Sequence, residues 1–309
     1  MKRFIKSLIL FIPFACLAYI TLICIWGELM PGIFKKNLNY FRAGSYGGMM
    51  SRLQEVKTVK NVDILFLGSS HTYRGFDNRI FSKAGFKTFN LGSSAQSPMQ
   101  TRLLLSRYLD QLNPKTIIYE VYPNSFTSDG IESALDIIAN DKNDLGSIKM
   151  AYKQNHIKIY NSLIYGFYRD FFNRNAGEKE NRKNGNDTYV NGGFLQKDLV
   201  YFKHIKYPNN TWDLNGKQFE DFEKILEQIK NKSINLILVQ TPITPNLYHS
   251  FSNNNAFDLK MKSYGTYYNF NEMISLDDSL HFYDPHHLNQ NGVTIFNAKL
   301  LDTLFSVKQ

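Results

Sequence analysis

An apolar run over Val62–Leu67, broken only by Asp63, ends abruptly in Gly68-Ser69-Ser70-His71. A strand with so little polar alternation is covered on both faces, and such strands belong to parallel sheets flanked by helices. The pattern recurs at Thr116–Val121 and Ile234–Gln240, with a shorter strand at Lys87–Leu91 and a fifth expected at Leu280–Tyr283. Helical spacing fills the intervals. Met49–Val59 reads as a short helix leading into the core. Pro98–Leu112 places Leu103, Leu104, Tyr108 and Leu112 at helical spacing, and Lys217–Ile229 places Phe219, Phe222, Leu226 and Ile229 on one side. Asn289 is a plausible N-cap for a last helix burying Val293, Phe296, Leu300 and Leu304. Strands alternating with helices predict a three-layer α/β/α domain with a mostly parallel five-stranded sheet. Ligands of such sheets bind beyond the carboxyl ends of the strands, where Ser70, Gly92, Asn124, Pro242 and Asp284 all fall.

The first segment is of another kind. Ser7 to Gly27 carries no charge, and at ~1.5 Å per residue it covers roughly 30 Å as a helix, about one bilayer core. Lys2, Arg3 and Lys6 precede it, which holds the N-terminus in the cytoplasm. A cleaved signal peptide would have a shorter apolar region and a small-x-small cleavage site; this run ends in Ile25-Trp26-Gly27-Glu28, with a tryptophan suited to the interface. An uncleaved single-pass anchor in a bacterial cytoplasmic membrane, with the C-terminal domain outside, is the expectation. The chain then divides into a cytoplasmic stub and anchor (1–28), a stalk and lead-in containing Pro31, Gly32, Gly44, Gly47 and Gly48 (29–60), and the α/β domain (61–309). An insertion at about 125–215 interrupts that domain. It holds two stretches of helical character, Ile131–Ile138 and an aromatic-rich Ile148–Phe172, followed by a polar segment, Asn173–Gly193, expected to be a mobile loop. The aromatics suit either core packing or stacking on a glycan.

Composition narrows the chemistry. The two cysteines, Cys16 and Cys24, both lie in the apolar segment, so the domain needs no disulfide and carries neither a thiol nucleophile nor a soft metal site. No metal and no cofactor is expected. The net charge is +9, and no concentrated basic stripe argues for nucleic acid.

What remains is a small nucleophile and a base. Ser70 sits on a tight turn after a strand, near backbone N–H groups that can hold a developing oxyanion. At the other end His281-Phe282-Tyr283 runs into Asp284-Pro285-His286-His287-Leu288-Asn289, with Gly292 beyond. There Asp284 stands three residues before His287 and can fix its tautomer through Nδ1. His286 lies at the wrong offset from Asp284. Asn90-Leu91-Gly92-Ser93-Ser94 follows the second strand; Gly92 can donate its N–H to an oxyanion, while Ser93 and Ser94 are rival nucleophiles on local grounds. His71, beside the nucleophile, and Glu120, at the end of the third strand, are candidates for contact with substrate.

Gly-Ser-Ser early, Asn-x-Gly in the middle and Asp-x-x-His-Leu-Asn-x-x-Gly late together resemble the SGNH (GDSL-like) hydrolase superfamily. The similarity is greatest to its membrane-anchored, envelope-facing branch, which includes the teichoic-acid D-alanylation protein and the alginate O-acetyltransferase accessory proteins. It covers about 63–121 and 234–304. The resemblance implies Ser70 as nucleophile, Asp284 and His287 as the acid–base pair, and the N–H groups of Ser70 and Gly92 as oxyanion donors. Two departures stand out. The first block reads Gly-Ser-Ser in place of Gly-Asp-Ser. The third block, Gly-x-Asn-Asp, is absent, and Asn124 in Glu120-Val121-Tyr122-Pro123-Asn124 is the candidate for its amide. The implied activity is that of a serine esterase or O-acetyltransferase acting on an acylated polysaccharide or other envelope polymer, with a polytopic membrane acyltransferase as partner. Two other readings stand beside it: a non-catalytic scaffold or polymer-binding subunit of an envelope complex, and a lipase acting on the adjacent bilayer.

Overall fold

The computed structural model describes residues 1–43 and 46–305. Gly44 of the expected stalk lies outside them. In chain order, α1 (Lys2–Leu29) is followed by the 3-10 turns Gly32–Phe34 and Tyr46–Gly48 and then by α2 (Met49–Val56), β1 (Ile64–Leu67), α3 (Ser70–Gly75), α4 (Asn78–Lys83), β2 (Thr88–Asn90), α5 (Pro98–Leu112) and β3 (Thr116–Glu120). The insertion contributes α6 (Ile131–Asn140), α7 (Leu145–Gln154), α8 (Ile157–Phe171), and three strands, β4 (Lys183–Asn184), β5 (Asp187–Val190) and β6 (Phe194–Lys197). The second half follows as α9 (Phe219–Asn231), β7 (Asn235–Gln240), α10 (Pro245–Ser250), α11 (Asn254–Tyr264), β8 (Tyr267–Asn269), α12 (Phe270–Met273), α13 (Asp278–His281) and α14 (Gln290–Phe305).

The central sheet has five strands in the order β2-β1-β3-β7-β8, and every pairing in it is parallel. Side chains along each strand alternate between two cores. Leu65, Leu67, Ile117, Tyr119 and Leu238 pack toward α2, α5, α6, α8 and α9. Ile64, Phe66, Ile118, Ile237 and Val239 pack toward Phe76, Phe81 and the Val293, Phe296 and Leu300 stripe of α14. Both faces are thus dry, as the apolar runs require. α1 is the one helix long and apolar enough to cross a membrane among the described residues.

Two expectations are corrected. The fifth strand is β8, not Leu280–Tyr283. Asp277 accepts hydrogen bonds from the N–H groups of Ser279 and Leu280, and this cap winds Asp278–His281 into a single helical turn. Phe282 then makes only an isolated bridge to Leu288. The polar 173–193 segment is also not all loop: its C-terminal part forms β4 and β5, which with β6 make an antiparallel sheet. Tyr189 and Leu195 of that sheet are buried against Tyr73. The aromatics Tyr160 and Phe167 of α8 pack against the main core.

One buried amide joins the two ends of the domain. Asn297 on α14 donates through Nδ2 to the Gly75 carbonyl at 2.7 Å and accepts from the Asp77 N–H at 3.2 Å. Asn297→Leu keeps the volume but strands a buried carbonyl and a buried N–H, each costing about 1–3 kcal/mol. A loss of about 2–6 kcal/mol on that basis is expected in urea unfolding of the full chain.

Candidate functional site

The parallel strands end at one edge, and the turns leaving them build the site. Gly68 follows β1 with φ +137°, and a Cβ there would lie 2.3 Å from Thr72 Oγ1 and 2.9 Å from Glu120 Cβ. Only glycine fits this turn. It delivers Ser69 to the cap position and Ser70 to the first residue of α3. The turn after β2 presses against it: a Cβ on Gly92 would stand 2.9 Å from the Ser69 carbonyl oxygen and 3.1 Å from that of Gly68. Asn90 locks the two turns together, donating to the Thr72 carbonyl at 2.7 Å and accepting from the Gly92 N–H at 3.1 Å. The N–H that the sequence offers as an oxyanion donor is therefore turned inward onto Asn90. Gly92 serves here as a close-approach glycine behind Ser70.

The opposite wall is the loop between α13 and α14. Tyr283 N–H donates to the His287 carbonyl at 3.1 Å and closes the turn. Asn289 donates to the carbonyls of Leu280 and Phe282 and caps α14 through Oδ1. Thr244, beyond β7, holds the Pro285 carbonyl through its N–H at 3.0 Å and its hydroxyl at 3.1 Å. Inside this frame Asp284 Oδ1 accepts from the N–H groups of His286 and His287, both at 2.8 Å. Its Oδ2 lies 2.8 Å from His287 Nδ1, and His287 Nε2 lies 2.8 Å from Ser70 Oγ. Ser70, His287 and Asp284 thus form one continuous hydrogen-bonded chain. Burial pushes the Asp284 carboxyl up, but the His287 ring and the two backbone N–H groups outweigh it and hold the group below its ordinary value.

Two rings pack on His287. Tyr283 stacks on it with centroids 5.5 Å apart and planes at 6°, and His71 packs with centroids 5.0 Å apart and planes at 27°. Tyr283 is in turn braced by Arg74, whose guanidinium lies 5.7 Å from its ring centre and is paired bidentately with Asp187 of β5 at 3.0 and 2.9 Å. The small antiparallel sheet is therefore linked to His287 through Arg74 and Tyr283. No local pattern announces Arg74 and Asp187; Tyr283 has one weak signal, its position four residues before His287.

Beneath the turn lies a second polar group. Glu120 is almost fully buried; its Oε2 lies 3.3 Å from Ser69 Oγ, which is 3.2 Å from His71 Nδ1. Burial raises the Glu120 carboxyl to about 8, against the opposing pull of the Ser69 N–H and the hydroxyls of Ser69 and Thr241. Burial thus favours its protonated form at neutral pH. Burial, then the neighbouring His287 and His286, keep the His71 imidazole well below its ordinary value and hence uncharged. Glu120 does not line the open cavity. It braces the turn, whereas His71 does reach the surface of the site.

That cavity, about 280 Å³, is lined by Ser69, Ser70, His71, Ser94, Ala95, Tyr122, Asn124, Ser125, Ser128, His286 and His287. Asn124 thus borders the same cavity as Ser70. His286 faces the same space with its Nδ1 3.1 Å from the Tyr122 hydroxyl. Of the rival nucleophiles, Ser93 is buried and bonded to Gln96 at 2.8 Å and Ser133 at 2.6 Å, while Ser94 lines the cavity. None of the α7 and α8 aromatics borders it. Among the described residues no cluster of three or more His, Cys, Asp or Glu side chains converges as a metal site.

No protein-family model and no curated protein matches this chain. Among solved structures, one named "putative acylhydrolase" from Bacteroides fragilis aligns over 84% of this chain and 96% of its own, at 11% identity and a TM-score of 0.42. A gut microbial diltiazem-metabolizing enzyme aligns over 79% of this chain and 47% of its own, at 11% identity and a TM-score of 0.28.

Two outcomes follow from this geometry. The folded state keeps a proton on Glu120 up to about pH 8, whereas the unfolded chain releases it near the ordinary value of 4.5. Its contribution to stability is therefore present at low pH and is lost as pH rises from about 4.5 toward 8. Glu120→Gln should flatten this decline, visible as a smaller drop in melting temperature between pH 5 and pH 8. Gly92→Ala forces a Cβ onto two backbone carbonyls and should displace the Ser70 turn, so thermal melting will shift downward and the reactivity of Ser70 toward an organophosphate probe will fall.

Proposed function

We propose that this chain is a membrane-anchored, extracytoplasmic serine esterase or O-acyltransferase, acting on acetyl or similarly short acyl groups of a cell-envelope or exported polysaccharide. The observation that carries the reading is the Ser70–His287–Asp284 chain with its two 2.8 Å links. Nucleophile, base and orienting carboxylate stand within hydrogen-bond reach of one another beside an open cavity, the arrangement that nucleophilic acyl transfer requires. The order of the three blocks and the anchor helix support a place in the envelope-facing branch of the SGNH superfamily.

Ser70 Oγ attacks the acyl carbonyl carbon while its proton passes to His287 Nε2. Asp284, fixed by three donors, steadies the imidazolium that forms. The tetrahedral oxyanion takes hydrogen bonds from the Ser70 N–H and the Asn124 amide, Gly92 being committed to Asn90. The intermediate collapses as His287 returns the proton to the departing alkoxide, leaving an ester on Ser70. Water or a sugar hydroxyl then gives its proton to His287, attacks that ester, and releases acid or acylated sugar as Ser70 is reprotonated.

Five serines and three histidines line the cavity, and its volume of about 280 Å³ suits a short acyl group. Transfer to a polymer outside the membrane requires an activated acyl donor from inside the cell. A polytopic acyltransferase is the fitting partner.

The test uses the full-length chain purified in detergent with p-nitrophenyl acetate. Ser70→Ala should reduce release to near background, and Asp284→Asn should cost about 10⁴ in kcat. Equal, background-level release by all three proteins would defeat the esterase reading. Retention of envelope acylation in cells carrying Ser70→Ala would defeat the transferase reading as well and favour a scaffold.

A further inference from the structure

α1 is more than an apolar helix of bilayer length, because its C-terminal third is bound to the domain. The Tyr19 hydroxyl donates to Asn161 Oδ1 on α8 at 2.6 Å. Gly27 lies so close to the Tyr165 ring of α8 that a Cβ there would stand 2.4 Å from it. Glu28 accepts from the Tyr165 hydroxyl at 3.2 Å and sits 3.8 Å from Arg169. The chain leaving α1 folds back over the same place. Trp26 Nε1 donates to the Phe34 carbonyl at 3.3 Å, and Asn161 Nδ2 donates to the Asn37 carbonyl at 2.9 Å.

This docking sets a length problem. The apolar run begins at Ser7, and the first side chain on it that is hydrogen-bonded to the domain is Tyr19. The stretch before it, Ser7 to Ala18, spans roughly 18 Å at ~1.5 Å per residue, against a hydrocarbon core of about 30 Å. About 12 Å of bilayer thickness is therefore met alongside the domain on these spacings. The residues at that level are suited to it. Ile33 and Phe34, in the turn following α1, are 74% and 61% exposed, beside Trp26 at 43%. The polar groups deeper in, Tyr19 and Asn161, are paired with each other and with backbone, as a low-dielectric setting demands. Charge begins where the apolar run ends: Glu28, Arg169, Glu178 and Arg42 form one ion-pair cluster there.

We infer that the domain is seated in the outer leaflet: Ile33, Phe34 and Trp26 form a collar embedded among lipid acyl chains around the foot of α1, with the Glu28–Arg169 cluster at headgroup level. The inference rests on the anchoring reading above and goes beyond it, since a tethered domain would float clear of the bilayer. The occupant of the collar is lipid, chosen by its continuity with α1. A tryptophan with neighbouring apolar side chains and the exposed Lys36 is interfacial chemistry, while the Lys35 ammonium donates to the Gly27 carbonyl.

The test places the full-length protein, with Cys16→Ala and Cys24→Ala, in phosphatidylethanolamine–phosphatidylglycerol vesicles. Three variants each carry one environment-sensitive fluorophore, attached through Leu10→Cys, Ile33→Cys or Thr294→Cys. The Leu10 probe should be quenched by nitroxides deep in the acyl chains, and the Thr294 probe by aqueous cobalt. The Ile33 probe should emit to the blue of the Thr294 probe, lose most of its intensity to shallow nitroxide lipids, and resist cobalt. If the Ile33 probe responds to cobalt like the Thr294 probe while the Leu10 probe stays lipid-quenched, the collar is wrong and the anchor stands. Cobalt quenching at Leu10 would remove the anchor and the collar together. An Ile33 probe shielded from both quenchers would mean a protein contact, such as a second copy, and would overturn the proposal.

Discussion

The structure depends on strands that stop together. Parallel pairing puts Leu67 opposite Tyr119, Glu120 opposite Val239 and Gln240 opposite Asn269, so successive strands run out at one edge of the sheet. Every turn that leaves this edge enters the same small volume. Residues far apart in the chain, such as Ser70 and His287, meet there because the register allows no other exit. A slip of one residue would send Ile64 and Phe66 to the wrong core and carry the Gly68 turn away from the Gly92 turn.

Around that edge the structure uses buried polar groups in place of apolar packing. Asn90, Asn289 and Asn297 each satisfy two or more backbone groups in loops that have no ladder to join. Asp284 belongs to the same set, because it caps two backbone N–H groups while holding the ring of His287. Such groups specify one loop conformation more sharply than methyl groups do, since an alternative arrangement would leave donors unpaired in a dry setting.

Legibility in the sequence tracks how local the cause is. The Pro98–Leu112 helix has the expected bounds because its signals lie at its ends: Ser97 and Gln100 form a capping box, Pro98 opens the first turn, and Asn113 closes it at φ +40°. The pairing of Asp284 with His287 is legible from a three-residue spacing. β8 is not, because Tyr267–Asn269 is too short to show a period and is fixed by its neighbour β7. The β4–β6 hairpins are likewise held by distant partners, Arg74 and Glu55, which no window of sequence contains. The direction of the Gly92 N–H escapes the sequence for the same reason: it is set by the side chain of Asn90, whose own orientation is set by Thr72.

The bonds at both nitrogens of His287 have a consequence for proton traffic. Turning the imidazole over would break the link from Nδ1 to Asp284 and the link from Nε2 to Ser70 together. With the ring held this way round, its two nitrogens keep separate tasks. Every proton that reaches Nε2 must leave by Nε2, on the side facing Ser70. The site behaves as a one-gate lock: arriving and departing groups share a single door, and their order is imposed by space.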